Sequence, residues 1–157
     1  MKKFLLIILF LFLTSCVEQN PNLSFSSISS VSISSEIEHE YSEITDYRIN
    51  WDEIFKVGKD NYYVYLFSIT CSHCSSIKNK IIEFTINNKD IYFVEDCEEI
   101  IFKNDVNYTI GLTSTENLAI LGFPSLLKIT NKILTKNVAG TEKIITELKL
   151  YKANARK

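Results

Sequence analysis

Two cysteines stand three positions apart in the stretch Cys71-Ser72-His73-Cys74. The apolar run 62–69 precedes them and a segment with helical spacing follows, which predicts that Cys71 lies at a helix start. Backbone N–H groups and the positive end of the helix dipole favour a thiolate there, and an imidazolium at His73 would stabilise it further. Cys74, one turn later, is placed to attack a mixed disulfide at Cys71. The motif therefore predicts a nucleophile, Cys71, and a resolving thiol, Cys74.

Zinc sites and haem attachment sites also use paired cysteines at this spacing. Haem attachment needs a histidine directly after the second cysteine, where this sequence has Ser75. A zinc site needs two further ligands, for which only Cys97, His39 and His73 are available. We therefore predict no metal and no separate cofactor.

The segments around the motif predict the elements that hold it. The unbroken apolar run 62–69 is typical of a central strand that is buried on both faces. Ile77, Ile81 and Phe84 recur at helical spacing after the cysteines, and the apolar run 91–94 is a second strand. A strand, a helix and a strand in this order form a parallel, right-handed unit.

The C-terminal part of the chain predicts an antiparallel unit. Residues 125–130 and 133–138 are two short strands joined by the two-residue loop 131–132, and Gly140 opens a last helix. Upstream, residues 50–53 have the form of a capping box, which predicts a short helix. The fold class is therefore α/β, with a central mixed sheet from a βαβ unit plus a ββα unit.

A second motif, Gly122-Phe123-Pro124-Ser125, stands just before the predicted hairpin. Together with the paired cysteines at a helix start, it resembles the thioredoxin superfamily over about residues 46–152. The resemblance implies a thioredoxin-like fold with helices on both faces of the sheet, and a cis peptide bond at Pro124 that lies against the cysteines. It also implies that the backbone of Phe123 pairs with an extended substrate segment. Residues 97–121 exceed the simplest thioredoxin connection, which predicts a small helical insertion there.

The two motifs together look most like the active site of protein disulfide isomerases, and DsbA-type oxidases also have a histidine before the second cysteine. Since His73 stabilises the reduced thiolate, the resemblance implies an oxidising or isomerising couple. In thioredoxins a buried acid lies six residues before the first cysteine, where this chain has Tyr65. Proton transfer from Cys74 then needs water, His73 or another acid such as Glu95. Thr70 stands where the family often has tryptophan.

Cys97 is a third thiol, at the end of the second predicted strand. Parallel neighbours end at the same edge of a sheet, so one interpretation places Cys97 near Cys71, as a thiol that relays a disulfide. The other interpretation is a partly buried thiol whose pKa is raised by the acidic residues around it. We favour the second.

The N-terminus of the sequence predicts export. Lys2 and Lys3 precede an apolar run, 4–13, of signal-peptide length, and Leu-Thr-Ser-Cys then resembles the lipobox of bacterial lipoproteins. The resemblance implies cleavage before Cys16 and a lipid on its thiol. The alternatives are a retained anchor helix and an ordinary signal peptide that ends near Ser15.

Composition predicts how the chain is divided into segments. We predict a lipoprotein signal peptide at 1–15, a lipid-attached, Ser-rich tether at 16–46 and a thioredoxin-like domain at 47–157. His39 lies in the tether and is expected to be solvated.

These features predict a membrane-anchored thiol–disulfide oxidoreductase with the Cys71–Cys74 disulfide as its redox-active group. It is expected on the extracytoplasmic face of a bacterial cell membrane, as an oxidase or isomerase of exported proteins. Its expected partners are thiol- or disulfide-bearing exported proteins, the membrane through the lipid on Cys16, and a membrane redox partner. A formal net charge of −2 and evenly scattered lysines argue against nucleic acid.

Two alternatives remain open for the function. One is a thioredoxin-like reductase of exported proteins or of cytochrome-maturation thiols, because redox direction depends on the partner as much as on the motif. The other is a non-catalytic binding lipoprotein in which the motif cysteines form only a structural disulfide.

Overall fold

The computed structural model describes residues 37–154. They form β1 (Asn61–Phe67), α1 (Ser72–Asn88), β2 (Ile91–Glu95), β3 (Ile101–Phe102), β4 (Ala119–Ile120), β5 (Ser125–Thr130), β6 (Ile133–Ala139) and α2 (Thr141–Asn154). Short 3₁₀ helices lie at Tyr41–Tyr47, Trp51–Glu53 and Asn107–Thr109. The predicted signal peptide and Cys16 lie outside the described residues. Within residues 37–154, no helix has the length and apolar character needed to cross a membrane.

Strands β2, β1, β5 and β6 form one four-stranded sheet, in that order. β1 and β2 run parallel, with Tyr63 opposite Ile91, and α1 connects them. β5 runs antiparallel to both β1 and β6, with Leu126 opposite Tyr65. The predicted mixed sheet, built from a parallel βαβ unit and an antiparallel ββα unit, is therefore confirmed.

Strand β1 is buried on both faces, as its unbroken apolar sequence predicts. Alternate residues of a strand face opposite sides of the sheet. Tyr63, Tyr65 and Phe67 pack under the two α-helices, and Val64 and Leu66 pack on the other side, all at most 1% exposed. Full burial of a side chain such as Phe67 contributes about 1.5–3 kcal/mol. These contacts fix the end of β1, from which the paired cysteines follow.

Both α-helices pack on the same face of the sheet. Ile77 and Ile81 of α1 and Ile144 and Leu148 of α2 belong to one hydrophobic cluster with the β1 aromatic residues. The helical spacing in the sequence predicts these faces, since residues three and four apart share one side of a helix. α1 ends at Asn88, and the left-handed conformation of the C-cap residue Lys89 (φ 58°) turns the chain toward β2.

Shorter elements cover the second face of the sheet. The predicted capping box is present, since the Asn50 N–H donates to the Glu53 carboxylate at 2.7 Å, but the helix it opens is a single 3₁₀ turn. The insertion at 97–121 is not the small helix we expected. It contains the parallel pair β3–β4 and one 3₁₀ turn. The helices expected on this face are therefore only short 3₁₀ turns.

The folded domain begins before the predicted boundary at residue 47. Ile44, assigned to the tether by composition, is fully buried, and the ring of Tyr41 stacks on Phe67 with centroids 4.3 Å apart. The His39 N–H donates to the Asn79 side chain of α1 at 3.0 Å. The His39 side chain is only 14% exposed, so the expectation that it is solvated is wrong. Tertiary contacts order a segment whose composition is typical of a linker.

The hairpin between β5 and β6 has the predicted two-residue loop. Asn131 and Lys132 both have positive φ, at 51° and 65°. This is the backbone of the hairpin turns that match strand twist, formed here without the usual glycine. The Asn131 N–H donates to the Asp60 carbonyl oxygen at 2.6 Å, which ties the loop to the start of β1.

Truncating Ile44 tests whether the N-terminal segment is part of the fold. We expect Ile44→Ala to lower the free energy of unfolding by about 2–5 kcal/mol, because it leaves a cavity in the core. The matched control is Ile37→Ala, since Ile37 is 73% exposed and its truncation should change stability by less than about 0.5 kcal/mol. Urea unfolding of both variants measures the difference. Equal, small effects would contradict the packing of residues 41–47.

Candidate active site

Cys71 lies at the junction of the buried strand and α1, as predicted. It is the N-cap residue of α1, with extended backbone angles of φ −83° and ψ 114°, and its side chain is half-buried. The Cys71 sulfur accepts a hydrogen bond from the Cys74 N–H at 3.2 Å. A sulfur that caps a helix start meets unpaired N–H groups and the positive end of the helix dipole, which stabilise negative charge on it.

Cys74 lies one turn into α1 and faces the core. Its side chain is 1% exposed and packs in the cluster that contains Tyr65 and Phe67. Burial raises the pKa of the Cys74 thiol to about 12, and its hydrogen bond with the Cys71 sulfur acts in the same direction. The two cysteines therefore differ in kind: Cys71 presents a partly exposed sulfur that accepts hydrogen bonds, and Cys74 is a buried, protonated thiol.

The loop before β5 lies beside the cysteine-bearing helix. The Phe123–Pro124 peptide bond is cis, as the resemblance implies. Phe123 and Pro124 line a cavity of about 590 Å³ together with His73 and Ser76 of α1. The first turn of α2 lines its remaining side. The structure thus brings together the two motifs that lie about fifty residues apart in the sequence.

His73 is exposed and lies at the mouth of this cavity. Its carbonyl oxygen accepts a hydrogen bond from the Ser76 hydroxyl at 2.7 Å, and its imidazole ring makes no hydrogen bond to any residue among 37–154. The ring is therefore available to a substrate bound in this cavity.

Tyr65 occupies the interior position beneath the cysteines. It is fully buried, and burial raises the pKa of its phenol far above the usual range, with the neighbouring phenol of Tyr41 contributing next. Glu95, the acid we considered for proton transfer, is instead bound to Arg48 at 2.8 Å and is 39% exposed. Tyr41 could not be recognised as a site residue from the sequence, because it lies in the stretch assigned to the tether. Only its aromatic character distinguishes it there from the surrounding polar residues.

Cys97 lies on the opposite face of the sheet from the paired cysteines. It is half-buried against the second hydrophobic cluster, whereas Cys71 and Cys74 pack with the first. Burial raises the pKa of the Cys97 thiol, and a hydrogen bond with Glu99 contributes next. This is the partly buried thiol that we favoured, and a direct relay with Cys71 has no geometric basis.

The described part of the chain contains no group of three or more His, Cys, Asp or Glu side chains that is placed to hold a metal ion. His39 binds Glu43 at 3.0 Å, and Cys97 lies on the other face of the sheet from the motif. The extra ligands that a zinc site at Cys71 and Cys74 would need are therefore not assembled around them.

No family model matches the chain, and neither does any curated protein. Solved structures similar to it include thioredoxin f from spinach chloroplast (14% identity, 66% of this chain and 83% of that chain, TM-score 0.46). Mitochondrial thioredoxin 3 from Saccharomyces cerevisiae is similar at 15% identity, over 68% of this chain and 97% of that chain, with a TM-score of 0.45. Reduced Schistosoma mansoni thioredoxin is similar at 18% identity, over 65% of this chain and 93% of that chain, with a TM-score of 0.43. By the strand order of its sheet, the cysteine pair at the start of α1 and the cis-proline before β5, the chain has a thioredoxin-like fold.

Proposed function

We propose that this protein is a thiol–disulfide oxidoreductase of exported proteins, anchored to the extracytoplasmic face of a bacterial cell membrane by a lipid on Cys16. The observation that carries the proposal is the asymmetry of the cysteine pair. Cys71 caps α1 with a half-buried sulfur, while Cys74 is 1% exposed directly behind it. A structural disulfide requires no such difference, whereas exchange requires one accessible nucleophile and one protected resolving thiol.

The reaction is a two-electron exchange. The Cys71 thiolate attacks one sulfur of a substrate disulfide, forms a mixed disulfide and releases the other substrate sulfur as a thiolate. Cys74 then loses its proton and attacks the Cys71 sulfur, which forms the Cys71–Cys74 disulfide and expels the second substrate thiolate. The protein is oxidised, the substrate is reduced to a dithiol, and the protons of the protein thiols pass to the substrate. The same steps in reverse oxidise a substrate dithiol.

The surroundings of the cysteines suit a polypeptide substrate. The cavity of about 590 Å³ beside His73 is lined by Phe123 and Pro124. Two exposed apolar side chains lie close to the motifs: Ile69, two residues before Cys71, is 70% exposed, and Phe102 is 50% exposed, with its ring edge-to-face against Phe123. Apolar surface at this place favours unfolded segments, which carry the disulfides that such enzymes act on.

The oxidising or isomerising direction rests on His73, which lies between the two cysteines in sequence. An imidazolium there stabilises the reduced thiolate, and stabilising the reduced form makes the disulfide a stronger oxidant. The extracytoplasmic location rests on the lipobox-like sequence before Cys16.

Single cysteine replacements test the assignment of roles. Cys71→Ser should abolish exchange with glutathione, because it removes the sulfur that forms the mixed disulfide. Cys74→Ser should still form that adduct and accumulate it, because no thiol resolves it. Mass spectrometry after acid quenching measures both outcomes. Cys97→Ser is the control and should exchange like the unmodified protein; a Cys71→Ser variant with full activity would exclude the proposed mechanism.

Differential alkylation tests the asymmetry of the pair. In the reduced Cys97→Ser protein, iodoacetamide should modify Cys71 first near neutral pH. The pKa of Cys74 is raised to about 12, so its thiol stays protonated and should react appreciably only as the pH approaches that value. Peptide mapping by mass spectrometry across the pH range gives the two rates. In urea the two cysteines should react alike; equal rates in the folded protein would contradict the buried position of Cys74.

Equilibration with glutathione redox buffers tests the direction of electron flow. We expect a potential of about −120 to −180 mV for the Cys71–Cys74 couple, the range of oxidases and isomerases. Thiol trapping of the equilibrated protein measures the oxidised fraction. A value near about −270 mV would instead assign the protein to the thioredoxin-like reductases.

A further inference from the structure

Two buried phenol hydroxyls lie beneath the cysteine pair. Tyr65 is fully buried in the middle of β1, and Tyr41 reaches the same place from the N-terminal 3₁₀ helix. Neither hydroxyl makes a hydrogen bond of good geometry with any group among residues 37–154. Buried hydroxyls almost always have a hydrogen-bond partner, because a buried hydroxyl without one loses its hydrogen bonds to water and gains no replacement.

These hydroxyls lie next to the thiols. Tyr65 and Cys74 belong to one hydrophobic cluster, and Tyr41 and Cys71 pack at its edge. Burial is the main influence on the pKa of Cys74 and raises it, and the nearby Tyr65 phenol acts weakly in the opposite direction. Negative charge on either cysteine in turn raises the pKa of both tyrosines. The four groups therefore form one electrostatically connected set.

The tyrosines cannot act as bases in this position. Burial raises the pKa of both phenols well above the usual value, so each remains a neutral O–H donor. Glu95, the acid considered for proton transfer from the sequence, is bound to Arg48. What a neutral phenol can do is donate a hydrogen bond to a neighbouring atom that gains negative charge.

The atom that gains negative charge in this cluster is the sulfur of Cys74. When a substrate thiolate attacks the Cys71–Cys74 disulfide at Cys71, the S–S bond breaks and Cys74 leaves as a thiolate with the bonding electron pair. In the opposite direction, the Cys74 thiol loses its proton to solvent before its sulfur attacks Cys71. Both steps pass through a negatively charged sulfur that is buried away from water.

We infer that the Tyr65 hydroxyl, backed by the Tyr41 hydroxyl, donates a hydrogen bond to the Cys74 sulfur as it gains negative charge during disulfide exchange. The inference rests on the proposed function. The negatively charged Cys74 sulfur would then be the hydrogen-bond acceptor that these hydroxyls lack in the resting protein, and it exists only during the reaction. As part of the same inference, the Tyr41 hydroxyl donates to the Tyr65 oxygen during the reaction, which polarises the Tyr65 O–H.

This role affects rates and leaves the equilibrium unchanged. Near neutral pH the stable states of Cys74 are the protonated thiol and the disulfide, and neither carries a negative charge. A donor that stabilises only the charged sulfur therefore speeds the opening and the closing of the disulfide by the same factor. A residue with a merely structural role would change stability, or the equilibrium, or both.

The test is Tyr65→Phe, which removes the hydroxyl and keeps the ring. The matched control is Tyr63→Phe on the same face of the same strand, since the Tyr63 hydroxyl donates to Glu147 at 3.0 Å, away from the cysteines. Acid quenching and mass spectrometry follow two steps: resolution of the Cys71–glutathione adduct, and opening of the disulfide by reduced glutathione. We expect Tyr65→Phe to slow both steps about tenfold, with an unchanged equilibrium constant, because hydrogen bonds to charged groups are the stronger class.

Tyr41→Phe provides a second test that leaves β1 intact. It should slow both steps by a smaller factor, about threefold, because its hydroxyl acts through Tyr65. Rates for Tyr65→Phe equal to those of Tyr63→Phe would overturn the inference, and so would an altered equilibrium constant with unchanged rates. A failure of the unmodified protein to exchange with glutathione would overturn the proposed function instead, so the two failures are distinguishable.

Discussion

The burial of the Cys74 sulfur against β1 is the constraint on which the rest of the site depends. Cys74 is 1% exposed because the first turn of α1 is held over the end of a strand that is itself buried on both faces. That position forces Cys71, three residues earlier, to be the N-cap, where its sulfur accepts the Cys74 N–H. The Cys74 sulfur is thereby protected from solvent and the Cys71 sulfur is accessible to a substrate, although the two residues are only one helical turn apart.

The N-terminal segment completes this arrangement from the other side. Phe67 ends β1, and its ring lies between those of Tyr41 and Tyr65, with centroids 4.3 Å and 5.9 Å away. The guanidinium of Arg48 lies 5.8 Å from the same ring and also binds Glu95 at the end of β2. The segment that carries Tyr41 therefore packs against the same core cluster as the thiols, and Arg48, which follows it, holds Glu95 in a half-exposed ion pair.

Much of the fold could be predicted from local patterns in the sequence. The run 62–69 is apolar without alternation, the residues after the cysteines recur at helical spacing, and the hairpin has its two-residue loop. Each of these signals lies within the element it describes. The cis-proline came from a resemblance between motifs, since no local pattern distinguishes it from an ordinary proline at the start of a strand.

The parts that could not be predicted depend on contacts between distant residues. β3 and β4 have two residues each and pair Ile101 with Ala119, so neither strand is long enough to show a period in the sequence. Ile44 and Tyr41 are ordered only because the aromatic residues of β1 and β2 offer them a surface. The proposed site formed by Tyr41, Tyr65 and Cys74 could not be predicted either. It depends on a contact between the segment that composition assigned to the tether and a residue in the interior of β1.

A neutral phenol in place of a carboxylate also bears on the redox direction of the site. A negative charge beneath the cysteines would oppose a thiolate at Cys71 and so favour the disulfide, which makes a dithiol a better reductant. Tyr65 removes that opposition while it still offers the Cys74 sulfur a hydrogen-bond donor. His73, on the outer side of the pair, adds an attraction when it is protonated. The neutral interior neighbour therefore does not oppose the reduced thiolate that a protonated His73 would stabilise from outside, and this agrees with the oxidising direction proposed for this protein.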